Sequence, residues 1–160
     1  MLIFPEPSTP VRGTLIYSES EYSFRFDAAD RDDLRERIGD AGVSSLSIGT
    51  LQLEFGVASR QILFAWGLHP RGRWIDSELA APMYEPSIVL VDPDLSYTGG
   101  VSVAIAPVNS WVTEYDRQSG WIVVSPTGTR DVDLHEVAEG VVLGRRNGEL
   151  NSVWLKPAFE

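Results

Sequence analysis

The chain has 160 residues, 43% of them apolar and 22% charged, a balance typical of one folded globular domain with a continuous core and unlike that of a disordered chain. It contains no cysteine, which removes disulfide frameworks, thiolate metal sites and cysteine nucleophiles. Thirteen Lys and Arg against 23 Asp and Glu leave a net charge of -10, which repels phosphate backbones and anionic lipid, so neither nucleic acid nor a membrane is an expected partner.

Residues 1–10 include Pro5, Pro7 and Pro10 and lack a basic stretch followed by a long apolar run, so they do not read as a signal peptide. No apolar run approaches the roughly eighteen residues that span a bilayer. A cytoplasmic location is the expectation.

Residues 11–17 and 22–27 read as two strands joined by a turn-length polar stretch, Ser18, Glu19, Ser20 and Glu21. A helix then follows to Ile38, with Asp27 as the expected N-terminal acceptor, acidic residues early, Arg35 and Arg37 late, and Gly39 as the stop. Leu34 and Ile38 fall on its sheet-facing side, and Asp33 and Arg37 pair on the outer one. From Val43 the period changes to two, with Leu51, Leu53, Phe55 and Val57 on one face and Gln52 and Glu54 on the other. Residues 61–68 read as the next strand, whose run Ile62, Leu63, Phe64, Ala65 and Trp66 is apolar on both faces, as a central strand requires, and should pair with the strand before it.

Residues 69–86 break all periodicity, a length at which connections are often functional. Strands resume at 87–91 and 101–106, with a turn-rich stretch between them. Residues 111–115 and 121–125 form a hairpin around a loop containing Gly120, with Trp111, Tyr115 and Trp121 expected on one face. Residues 131–139 read as a strand with a competing helical turn. Asn147 and Gly148 between 141–146 and 149–155 are the strongest hairpin signal in the chain and place Arg146 opposite Glu149. The fold expected is mainly β: a curved antiparallel sheet or partly open barrel of about ten strands, with one or two short helices, in a single domain over 1–160.

Motifs are few. Asp92, Asp94, Ser96 and Thr98 resemble the start of a calcium loop, but Tyr97 stands where glycine is needed and Val103 where glutamate is needed. No nucleophile elbow, phosphate loop or dinucleotide fingerprint occurs, and no cofactor is expected. With two histidines, neutral-pH acid-base chemistry would run through His69, His135 or a shifted carboxylate. His69, Arg71, Arg73 and Trp74 bring an imidazole, two guanidinium forks and an aromatic face together after a buried strand, a set suited to a carboxylate or phosphate. Asp131, Asp133 and His135 alternate on a strand and form a candidate mixed oxygen and nitrogen metal site. Trp74, Tyr84, Trp111 and Tyr115 are candidate interface anchors.

Three functional readings follow. The first is an interaction protein presenting acidic and aromatic surface to a basic protein partner, as an immunity-type protein neutralising its target would, and it is not expected to be an enzyme. The alternatives are a small-anion-binding protein or enzyme with its pocket at the 69–86 loop, and a structural subunit of an assembly.

Overall fold

In the computed structural model, which describes residues 2–107, 110–126 and 133–160, the alternating segments form fifteen strands and one α-helix. In chain order these are β1 (Leu2–Pro7), β2 (Gly13–Ser18), β3 (Ser23–Ala28), α1 (Arg31–Ile38), β4 (Val43–Ile48), β5 (Leu51–Gly56) and β6 (Ile62–Leu68). A 3₁₀ turn (Arg71–Arg73) precedes β7 (Ile75–Asp76), β8 (Glu85–Val91), β9 (Val103–Ala106), β10 (Val112–Tyr115) and β11 (Ile122–Ser125). The chain ends with β12 (Asp133–Ala138), β13 (Val141–Arg146), β14 (Glu149–Leu155) and β15 (Ala158–Phe159).

Local chemistry accounts for the hairpins. Asn147 and Gly148 both have positive φ, 53° and 77°, the conformation of a type I′ turn, and Arg146 pairs with Glu149 across it as expected. Gly49, at φ 61°, opens the two-residue turn between β4 and β5, where a side chain would be strained. The helix is capped by Asp30, whose carboxylate accepts from the backbone N–H of Asp32 and Asp33; Asp27, the cap expected from the sequence, lies within β3. Arg37 reaches Asp33 at 2.9 Å, and Leu34 and Ile38 pack against the core.

The mainly β expectation holds, with the strands divided between two sheets, neither closed into a barrel. One has the order β1-β8-β12-β13-β14-β11-β10-β7 and the other β15-β2-β3-β6-β5-β4-β9. Most neighbours are antiparallel, but the short contacts β7 with β10, β8 with β12, β9 with β4 and β15 with β2 are parallel. β6 lies at the centre of its sheet and pairs with β5, as its apolar run implies.

The sheets share one core, to which the seven-stranded sheet contributes Leu15, Tyr17, Leu53 and Phe55 and the eight-stranded sheet Val89, Ile122, Leu143 and Val153. Each such buried side chain contributes about 1.5–3 kcal/mol. A smaller cluster of Leu79, Trp121, Val123, Val142 and Trp154 covers the opposite face of the eight-stranded sheet. Trp121 belongs to it, so it does not share a face with Tyr115 as the hairpin pattern implied. Register is the reason: Tyr115 pairs with Ile122 on the core side, and the residue before Ile122 must point the other way.

The chain crosses from the seven-stranded sheet to the eight-stranded one through residues 69–74, and β9 makes a separate excursion back before β10. The edges carrying β7 and β9 therefore belong to different sheets.

Candidate functional site

The end of β6, the turn between β4 and β5, the 3₁₀ turn and strands β7, β10 and β11 together line a half-open cavity of about 570 Å³. Ile48, Gly49 and Thr50 come from the seven-stranded sheet; Ile75, Val112, Thr113 and Val124 come from the eight-stranded one. The crossover supplies His69, Pro70, Arg73 and Trp74, and Pro107 and Trp111 complete the lining. The wall is largely apolar with a few polar groups, the usual make-up of a small-molecule site. It includes no carboxylate among the described residues, although the chain as a whole is strongly acidic.

His69 is held on several sides. Its Nε2 lies 2.7 Å from Thr113 Oγ1, and its backbone carbonyl accepts from the Tyr17 hydroxyl at 2.8 Å. The rings of Phe24 and Trp74 each lie 5.9 Å from its imidazole. Burial among these groups pushes its pKa down to about 4, so the imidazole is neutral at physiological pH. A neutral imidazole against a hydroxyl has the geometry of a general base and its proton donor. No carboxylate hydrogen-bonds His69 among the described residues, so the orienting third member of a nucleophilic triad is missing there.

The two arginines separate. Arg71 pairs with Glu19, and its guanidinium lies 5.2 Å from the ring of Tyr115, 5.5 Å from Phe159 and 5.8 Å from Trp74. It is enclosed by aromatic faces and an anion, and it ties the crossover to β15. Arg73 lines the cavity, is exposed, and makes no ion pair among the described residues. Trp74 is half-buried, with its indole N–H buried and without an acceptor among the described residues. Of the four residues grouped from the sequence, the structure brings His69, Arg73 and Trp74 to the cavity and assigns Arg71 to packing beside it.

The metal candidates are placed differently. Asp131 lies outside the described residues. Asp133 is exposed and 4.0 Å from Arg145, while His135 Nδ1 lies 3.2 Å from Ser87 Oγ. No group of three His, Asp or Glu side chains suited to a metal occurs among the described residues. Burial, with Arg145 nearby, lowers the His135 pKa.

The interface candidates also diverge. Tyr115 is only 7% exposed and belongs to the core, which removes it as a surface anchor: its place on the sheet-facing side of β10 follows from its register with Ile122. Trp111 is half-buried and lines the cavity with Trp74. Tyr84 is 38% exposed, beside Met83 at 91%, and is the one named aromatic that stands at the surface.

Thr113 was not singled out from the sequence. The available signal was its parity: it alternates with Trp111 and Tyr115 and therefore faces the same side of β10. Its contact with His69, 44 residues away, comes only from the crossover.

No helix among the described residues is long and apolar enough to cross a membrane. The chain matches no protein-family model, no curated protein and no solved structure.

Proposed function

We propose that the protein binds a small anionic molecule in the cavity between its two sheets, with Arg73 supplying charge and His69, Trp74 and Trp111 supplying contact. The observation that carries this reading is the coincidence, in one cavity of about 570 Å³ with no carboxylate in its lining among the described residues, of two tryptophans and an arginine that makes no ion pair among those residues. In a chain of net charge -10, such a wall is where an anion meets least repulsion. A thermal-shift and calorimetric screen of anionic metabolites tests it. At least one compound should raise the melting temperature of the wild-type chain by several degrees and lose that effect in Arg73→Gln. A hit whose stabilisation is unchanged in Arg73→Gln would place binding elsewhere and refute the reading.

A second reading, a surface for a basic protein partner, rests on Met83 and Tyr84 standing exposed beside Glu85. Under it, a partner captured from cell extract is released by salt and lost on Met83→Asp, while Arg73→Gln has no effect.

A further inference from the structure

Resting on the cavity reading, we infer that the ligand is a monoanion, a carboxylate carried on a flat apolar body, with Arg73 taking the carboxylate and Trp74 and Trp111 flanking the body. The volume, about 570 Å³, is in the range that takes drug-sized molecules rather than a bare inorganic ion. Most of the wall is aliphatic, aromatic or proline, with Ile48, Ile75, Val112 and Val124 facing whatever occupies the space, so most of the ligand surface must be apolar.

The number of charges on the ligand follows from the number available to it. Arg73 is the one cationic side chain in the lining among the described residues, because Arg71 is already committed to Glu19 and three aromatic rings. A planar guanidinium fork matches a carboxylate with two parallel hydrogen bonds. A phosphate dianion would bring a second charge into an apolar wall that has only His69 left to meet it. His69 is held there as the neutral partner of Thr113, a donor or acceptor without charge. Trp74, whose indole N–H is buried, adds an aromatic face and no charge, so the lining carries one positive charge among the described residues. One carboxylate balances that inventory.

The test uses three probes that share one body: 2-naphthoate, 2-naphthamide and 2-naphthyl phosphate, titrated calorimetrically into the whole chain at neutral pH. The expected result is that 2-naphthoate binds at least tenfold more tightly than either of the others, and that Arg73→Gln brings acid and amide to within about twofold. Arg73 is exposed and makes no ion pair among the described residues, so this variant keeps the fold, which circular dichroism checks. Equal binding of acid and amide, or tighter binding of the phosphate, overturns the monoanion inference and leaves the cavity reading standing. Binding by none of the three overturns the inference; if the wider metabolite screen is also silent, the cavity reading falls with it.

Discussion

The neutral His69 makes a prediction about stability that needs no ligand. Its folded pKa is near 4 and its unfolded value near 6.5, so between those pH values the unfolded chain binds a proton that the folded chain refuses. Stability from this group is therefore highest above about pH 6.5, falls as the pH is lowered, and levels out below about pH 4. With those two values, the linkage relation gives a loss of about 2 kcal/mol at pH 5 relative to pH 8, and about 3 kcal/mol in full. Other groups titrate in the same window. Burial raises the pKa of Glu54 and Glu136, which acts in the opposite direction, and lowers that of His135, which acts in the same one. A comparison with His69→Gln cancels them, since glutamine retains an amide able to reach Thr113 and carries no titrating proton. Urea unfolding at half-unit steps from pH 8 to pH 4.5 should show wild type losing about 2 kcal/mol more than the variant by pH 5. Parallel curves for the two proteins would refute the account of His69 as a half-buried group held neutral by desolvation.

Arg71→Ala should weaken the fold by about 1–2 kcal/mol, through loss of its aromatic contacts and of Glu19, while leaving probe binding in the cavity within about threefold of wild type. Loss of probe binding with unchanged stability would reverse the roles given to Arg71 and Arg73. Leu79→Ala should cost about 2–4 kcal/mol in urea unfolding, because Leu79 is buried against Trp121 and Trp154 in the second cluster; a cost below about 0.5 kcal/mol would mean that the loop does not cover that face. Asn147→Ala should cost about 1 kcal/mol because Asn147 has φ of 53°, whereas Asn147→Gly should stay within about 0.5 kcal/mol; equal effects of the two would argue against the type I′ turn.

Much of the local structure is legible in residue order because its causes are local. Asn147 and Gly148 specify their turn through backbone conformations that few other residues tolerate, and the alternation from Leu51 to Phe55 assigns a buried face. The helix is legible too, apart from its cap, where three nearby aspartates, Asp27, Asp30 and Asp32, compete and only backbone geometry chooses Asp30. The strands that escaped notice are those with little local signal. β1 contains two prolines and lies at a sheet edge, and β7 and β15 are two residues long and exist through parallel contacts with distant partners.

The site divides along the same line. That residues 69–74 concentrate polar chemistry after a buried strand is visible in the chain itself, because a strand with apolar faces must end where the polar groups begin. Which of those groups face a ligand is not. Arg71 and Arg73 are two residues apart and chemically identical, yet one is enclosed by Tyr115, Phe159 and Glu19 and the other opens onto the cavity. Thr113 becomes the partner of His69, and Trp111 and Trp74 become walls of one space, only when the crossover brings β10 against the end of β6. Residue order determines turns, faces and the helix, since these depend on neighbours within a few positions. The two-sheet division, the cavity and the separate roles of the two arginines depend on contacts tens of residues apart, and those exist only in the folded chain.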